Sequence, residues 1–384
     1  MAFKVFTPKQ VIFGDNAIKE SGVYFKDLGK KALIVTDSIM GKIGNLSILR
    51  KVLEDADIKY EVYSKVDSEP TDVMVEEGLE IYINTKCDFL IALGGGSPID
   101  AMKAIGAMVT NQGHITEYMG RIIENCPPPL VAIPTTAGTG SEATQFTIIL
   151  DTKNDIKMLL KGPSLIPALA IIDSQMTKTV PPHVTAATGI DALTHAIEAY
   201  TSKLANPLSD TFALSAAERI FKYLRKAYKN GDDLKAREEM ALGALEAGIA
   251  FNNSSVTIIH GMSRPIGALF HVPHGISNAM LIVKCLKFVV EGGPSYFADI
   301  AKKINLYHKG ITDTEASKSL VDEVESLCRD INIPTLKEYG INKDEFFANI
   351  EKMAEDALAS GSPANTRKQP TKEDIVQIYK SLWE

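Results

Sequence analysis

The chain has 384 residues, with 48 acidic against 41 basic side chains; the resulting net charge of −7 argues against a nucleic-acid partner, and no basic run contradicts it. Hydrophobic residues make up 45% of it, as in an ordinary soluble globular protein, yet no stretch approaches the roughly 18 apolar residues of a membrane span and the start, MAFKVFTPKQ, lacks a signal peptide's apolar core. The length exceeds what one core usually serves, so two domains are expected, and the scattered Cys87, Cys126, Cys285 and Cys328, with no CxxC pair, fit reduced thiols in the cytoplasm.

Taken in order, residues 5–14 (VFTPKQVIFG) read as two short strands broken at Pro8. KALIVT, residues 31–36, is a continuous apolar strand ending at Asp37. A helix near 45–57, a strand over 60–66 and a second helix capped at Thr71-Asp72 follow. Strand 89–93 runs into Gly94, Gly95, Gly96 and Ser97, with a helix expected from Pro98. Strand 130–133 opens into PTTAGTGSEAT, and FTIIL, KMLLK and ALAIID add shorter strands up to Asp173. Alternating buried strands and helices imply a parallel sheet covered on both faces. After Pro181-Pro182, helix follows helix from about Thr185 to the end, with caps expected at Thr314, Asn342 and Thr371 and no strand. The polar loop 361–370 is the one long interruption late in the chain. The boundary falls near 182–185, which gives an α/β domain over residues 1–183 and an all-α domain over 184–384.

Two stretches of the helical half carry the chemistry. In GIDALTHAIEAY (189–200) the apolar residues recur at helical spacing, so Asp191 and His195, four apart, share one helix face. IHGMSRPIGALFHVPHG (259–275) holds three of the seven histidines, His260, His271 and His274, among apolar residues. An Asp-x3-His pair on its own is more often a solvated face, and Pro-His-Gly more often a turn. Together they offer one carboxylate and several imidazoles, with His260 and His274 as candidates to complete the set. Three nitrogens and a carboxylate suit Fe(II), or alternatively Zn(II), and the lack of thiolates argues against a closed structural zinc site.

On these two motifs the chain resembles, over essentially its whole length, the iron-containing (group III) alcohol dehydrogenases. The resemblance implies a Rossmann-like, dehydroquinate-synthase-like α/β domain that binds NAD, followed by a helical metal-binding and catalytic domain. It places the metal ligands at Asp191, His195, His260 and His274. It also implies a homodimer or larger homo-oligomer.

The dinucleotide site is expected in the first domain. A glycine turn between a buried strand and a helix lets a phosphate approach backbone N–H groups at a positive helix end. GGGS does not match GxGxxG, and alone it reads equally well as a tight strand-to-helix turn. Asp37, ending an apolar strand, is placed either to accept from the adenosine ribose hydroxyls or to cap the next segment. The resemblance favours the ribose role and, because a carboxylate repels a 2′-phosphate, NAD(H) over NADP(H). It also assigns Thr135 and Thr136 to the cofactor and matches Lys157 to a lysine at the nicotinamide ribose; residues alone would read Lys157 as a solvated strand residue. Thr144 and Phe146, two apart on the following strand, are expected on one face of the same groove. With Asp37, Gly94, Gly95, Gly96, Ser97 and Asp100 these complete the expected cofactor set.

The implied chemistry is reversible hydride transfer between nicotinamide and a short-chain alcohol or aldehyde, the metal polarising the substrate oxygen. One departure bears on the substrate. Many members read HGMAHPLG here, with a histidine four residues after the first ligand; this chain has Arg264, a poor proton shuttle because it stays charged. The proton must then pass through water, a ribose hydroxyl or His271. If the helix runs on, Arg264 lies one turn from His260, with Thr257 and Asn253 one and two turns behind. A guanidinium beside two hydrogen-bonding residues suits a carboxylate or sulfonate, and so an aldehyde with an anionic tail such as succinic semialdehyde or sulfoacetaldehyde. The alternatives are a neutral short-chain alcohol or diol (butanol or 1,3-propanediol type), with Arg264 paired to a local carboxylate or the cofactor pyrophosphate. A dehydroquinate-synthase-like lyase or cyclase would need a Lys/Arg cluster, and the helical half offers only Arg264 beside the ligands.

Overall fold

The computed structural model describes residues 2–383. Two compact units divide the described residues, Phe6–Val180 forming one and residues 2–5 together with those from Pro181 onward the other, so the α/β unit begins later and ends a few residues earlier than 1–183.

The first unit is built on a six-stranded parallel sheet of order β1-β8-β5-β4-β2-β3. Its strands are β1 (Gln10–Phe13), β2 (Lys31–Thr36), β3 (Lys59–Tyr63), β4 (Phe89–Gly94), β5 (Leu130–Pro134) and β8 (Leu169–Ile172). The four central strands are almost wholly buried, which is why they read as unbroken apolar runs, whereas β1 and β3 keep exposed residues at the two edges. Alternate side chains enter two cores. Leu33, Val35, Leu90 and Ala92 pack with Val75 of α2 (Asp72–Thr85) and Met102 and Ile105 of α3 (Gly96–Thr110). Ala32, Ile34, Ile91 and Leu93 pack on the other face with Leu49 and Leu53 of α1 (Asn45–Asp55).

Three expectations need correction here. Only one strand forms in residues 5–14; Pro8 has no N–H to offer a ladder, and pairing begins at Gln10. FTIIL and KMLLK do not join the main sheet. They are β6 (Phe146–Asp151) and β7 (Ile156–Lys161) of a separate antiparallel hairpin, because the four residues between them form a tight turn, with Asp151 accepting from the Lys153 and Asn154 N–H groups, and are too few for a parallel crossover. The helix after the glycines starts at Gly96, so Ser97 lies in its first turn.

In the second unit no strand occurs among the described residues. Its main helices are α4 (Pro182–Thr201), α5 (Pro207–Lys229), α6 (Leu234–Ser254), α7 (Ile258–Phe270), α8 (His274–Val289), α9 (Pro294–Lys303), α10 (Asp313–Asp330), α11 (Lys343–Ala359) and α12 (Lys372–Ser381). Pro182, Pro207 and Pro294 open their helices, where the missing N–H costs nothing. Asn342 and Thr371 cap as expected; α10 is capped by Thr312, not Thr314, because only Thr312 has a glutamate, Glu315, three residues on to close a capping box. α4 is buried along nearly all its length, packed against α5, α6 and α8. Two glycines allow this: a Cβ on Gly189 would lie 2.3 Å from Leu224 of α5, and one on Gly275 would lie 2.8 Å from the carbonyl oxygen of Ala187.

Candidate functional site

Three helices bring four donors together in the second unit. Asp191 and His195 come from one face of α4, His260 from the first turn of α7, and His274 from the start of α8. One ligand atom of each lies within 4.8 Å of all the others. Asp191 Oδ1 is 3.7 Å from His260 Nε2 and 3.6 Å from His274 Nε2. The first three residues are buried and His274 is exposed, so the cluster is closed on the protein side and open at one edge. The His195 ring is sandwiched between Phe251 and His260, with centroids at 4.2 and 4.4 Å, and its Nδ1 is buried with no hydrogen-bond partner.

Behind the donors stands Glu198, fully buried, whose Oε1 accepts from Thr257 Oγ1 and the Ile259 N–H and whose Oε2 lies 2.6 Å from His260 Nδ1. A carboxylate on Nδ1 fixes the His260 ring and turns Nε2 toward the cluster, the arrangement that a ligating histidine uses. Asn278, one turn beyond His274, points its Nδ2 at Asp191 Oδ1, His260 Nε2 and His274 Nε2, at 2.7, 3.2 and 3.1 Å. The amide thus donates to Asp191 and lies within hydrogen-bond distance of two ring nitrogens of the same cluster. Buried charges dominate the electrostatics of the cluster. Burial opposes charge on Asp191, but His195, His274 and His260 hold its carboxyl far below the usual range. Burial lowers His195 to about 3, leaving a neutral imidazole, while Glu198 and Asp191 overcome burial to raise His260 to about 9. Three imidazoles and one carboxylate, one ligand atom from each, fit a divalent ion of the Fe(II) or Zn(II) kind.

Neither Glu198 nor Asn278 is singled out from the sequence, although helical spacing carries both: Glu198 is seven residues after Asp191 and three after His195, and Asn278 is four after His274.

The other expected residues of this half are spread more widely. The helix does not run from Asn253 to Arg264. α6 stops at Ser254, Ser255 takes φ 72°, and Thr257 precedes α7 as its N-cap. Thr257 is therefore given to Glu198, and the Asn253 amide donates back to Ile249 O within α6. His271 is the exposed, left-handed C-cap of α7 and is not among the four clustered donors. Arg264 is partly buried, and its guanidinium makes no hydrogen bond or ion pair with any described residue. Burial lowers its proton affinity, and the Glu198 carboxylate is the one charge that opposes this.

In the first unit three loops lie side by side at the carboxyl ends of adjacent strands. Thr36 of β2 is in register with Leu93 of β4, and Gly94 with Pro134 of β5, so Asp37, the glycine turn and the Thr135 loop follow in sequence across the sheet. The chain leaves β2 toward β3 on one side and returns to β4 on the other, which makes the β2/β4 edge a topological switch point, where open α/β sheets bind ligands. Gly94 has φ +156°, and a Cβ there would meet Pro98 at 2.5 Å; a Cβ on Gly96 would lie 2.9 Å from Thr139. Only backbone fits between the glycine turn and the threonine loop.

Asp37 fills the capping role: its Oδ1 accepts from the Ile39 and Met40 N–H groups. Burial raises its carboxyl above the usual range in spite of those bonds, and Asp67, which accepts from the Ser38 N–H, adds like charge. Thr135 is buried and donates its N–H to Gly94 O; Thr136 is partly exposed. Thr144 precedes β6 and does not share a strand face with Phe146; its hydroxyl is buried against Lys103. Asp100 accepts from Ser141 Oγ and the Ile148 N–H. Lys157, on β7, pairs with Glu69 at 2.7 Å.

The sequence matches the iron-containing alcohol dehydrogenase family over residues 8–174 and the C-terminal region of the Fe-containing alcohol dehydrogenase family over residues 185–383. A choline dehydrogenase of Bacillus subtilis (strain 168) is 37% identical across 97% of this chain and 93% of its own. A crystal structure of 1,3-propanediol oxidoreductase superposes with a TM-score of 0.96 at 35% identity, covering all of both chains. The sulfoacetaldehyde reductase of Bifidobacterium kashiwanohense, solved in complex with NAD+, gives 0.87 at 26% identity over 100% of this chain and 99% of that one. With a parallel α/β unit, a helical unit and a His₃Asp cluster in place, the chain belongs to the iron-containing alcohol dehydrogenase family, oxidoreductases that act on alcohols and aldehydes with NAD(H) and iron.

Proposed function

We propose that Asp191, His195, His260 and His274 hold Fe(II) in the helical unit, residues 184–384, and that the α/β unit, residues 1–183, holds NAD(H) for reversible hydride transfer with a short-chain primary alcohol or aldehyde. The observation that carries this reading is the convergence of four donors from three helices within 4.8 Å. When bound, the metal supplies a Lewis acid for the substrate oxygen. Glu198 fixes the tautomer of His260, and the open edge at His274 admits substrate. Gly94–Ser97 offer N–H groups of the α3 terminus to the pyrophosphate, and Thr135 and Thr136 wall the same turn. Asp37 presents its second oxygen to the adenosine ribose, and with Asp67 close by the pair of acids disfavours a 2′-phosphate. Lys157 and Phe146 complete the cofactor set from the hairpin. A cytoplasmic setting fits the unpaired cysteines, and no helix among the described residues is long and apolar enough to cross a membrane. A homodimer is carried by the family likeness.

For the substrate, Arg264 favours an aldehyde with a carboxylate or sulfonate tail, since a partly buried guanidinium with no hydrogen-bond or ion-pair partner among the described residues is a ready anion receptor. The high likeness to 1,3-propanediol oxidoreductase favours a neutral diol instead. NADH oxidation is followed with sulfoacetaldehyde or succinic semialdehyde against propanal or butanal, with and without added Fe(II), in wild type and Arg264→Gln. Iron-dependent turnover with any aldehyde is expected, and its absence with all of them would remove the reading. An anionic substrate should lose about 1.5–3 kcal/mol more than a neutral one on losing the arginine; equal losses assign the neutral class.

A further inference from the structure

Lys103 is a fully buried lysine that the reaction does not use. It lies in α3, seven residues after Gly96 and three after Asp100, so these three share the helix face that begins at the glycine turn. That face meets the stretch after β5 at every step. Gly96 abuts Thr139, Asp100 accepts from Ser141 Oγ and the Ile148 N–H, and Lys103 reaches the residues between. Its Nζ has five oxygens around it: Ser141 O and Oγ at 2.6 and 3.0 Å, Thr144 O and Oγ1 at 2.9 and 3.1 Å, and Phe146 O at 2.8 Å.

No carboxylate lies within ion-pairing distance; Asp100 and Glu142 act on Lys103 only through their longer-range field. An ammonium carries three protons, so five oxygens at these distances form an all-oxygen cage of the kind that receives a compact cation. The oxygens all come from one short segment, Ser141–Phe146. Three of them are backbone carbonyls, and although Ser141 O also accepts from the Thr144 N–H, the ammonium is the one group that gathers Ser141 O, Thr144 O and Phe146 O at a single point inside the fold.

We propose that Lys103 is a built-in cation that positions the second dinucleotide loop, from Thr135 to Phe146, against the glycine turn, and that a small monovalent cation can take its place when the side chain is removed. This rests on the reading that the two loops hold NAD(H). Lys103 touches neither cofactor nor substrate, so it acts on cofactor affinity and not on the chemical step.

The test compares wild type and Lys103→Ala for NADH dissociation constant, by fluorescence of bound NADH, and for KM and kcat. Buffers contain tetramethylammonium, K+, NH4+ or methylammonium chloride at equal ionic strength. In tetramethylammonium the variant should bind NADH at least about tenfold more weakly, a change of 1.4 kcal/mol, with kcat at saturating NADH within about threefold of wild type. K+, NH4+ or methylammonium should recover most of the affinity, and none should affect wild type. Unchanged NADH affinity in the variant, or equal recovery with tetramethylammonium, would overturn the proposal. Should Lys103→Ala fail to fold, Ser141→Ala is read in its place, since it removes one cage oxygen, together with its bond to Asp100, and keeps the ammonium. NADH affinity lowered about two- to fivefold at constant kcat supports the clamp, and unchanged affinity there overturns it. Failure of the cofactor reading looks different: Gly96→Val would then leave NADH affinity intact as well.

Discussion

At the scale of single residues the site is governed by which polar atoms are already committed. Glu198 is committed three times over, to Thr257, Ile259 and His260, and by holding His260 Nδ1 it leaves Nε2 turned toward the four-donor cluster. Glu198→Gln keeps the shape and an acceptor but removes the charge. Iron affinity is expected to fall about 10- to 100-fold, read by competition with a chelator, while NADH binding stays as in wild type; unaltered iron affinity would show that the second layer is idle. Asp37 is only half committed. Its Oδ1 caps a five-residue helix, which leaves Oδ2 for a ribose hydroxyl. Asp37→Gly should shift the NADPH to NADH preference toward NADPH by well over twofold, about 0.4 kcal/mol, because it removes one of two neighbouring acids. A ratio that stays inside that margin assigns Asp37 to capping alone.

Elements set the distances between those residues. His274 opens α8, and the next residue, Gly275, lets α8 lie against the Ala187 carbonyl of α4, the helix that carries Asp191 and His195. The Gly275 backbone is in a conformation open to any residue, so the requirement is one of space. Gly275→Ala would place a methyl 2.8 Å from that oxygen and push α8 away from α4. Overpacking of this kind costs about 1–3 kcal/mol. The expected outcome is a protein that folds with a lower unfolding midpoint and loses iron on dialysis faster than wild type. Iron retention equal to wild type would mean that α8 moves along its axis without displacing His274.

On the scale of the molecule, iron bound at the proposed ligands would add a further tie between α4, α7 and α8, which the Glu198 and Asn278 hydrogen bonds already join and which share no disulfide. A ligand held only by the native state stabilises it by an amount set by its concentration over its dissociation constant, about 2.7 kcal/mol at a hundredfold excess. Chelation should therefore speed amide exchange in the first turns of α7 and α8 and the middle of α4, and leave β4 and α3 unchanged. In His260→Ala the chelator should add nothing further, while NADH binding persists. Exchange that is identical with and without iron would place the metal elsewhere.

Much of this was decided along the chain itself. The unbroken apolar runs of β2, β4, β5 and β8 announce strands buried on both faces, and the four-residue spacing of Asp191 and His195 puts them on one face of α4, because strand and helix periods are local properties. Glu198, Asn278 and Lys103 sit at equally legible helical spacings, yet no spacing says whether a face meets a ligand, another side chain or a loop. That depends on which helices pack together. Nothing local joins Asp191 to His274, eighty-three positions apart, so the residues alone make His274 a candidate and the family likeness is what selects it before the fold is seen. The break between α6 and α7 at Ser255, which hands Thr257 to Glu198 and separates Asn253 from Arg264, belongs to the tertiary structure for the same reason. A buried carboxylate must be met by donors, and the nearest ones were a hydroxyl and an N–H that a continuous helix would have kept away.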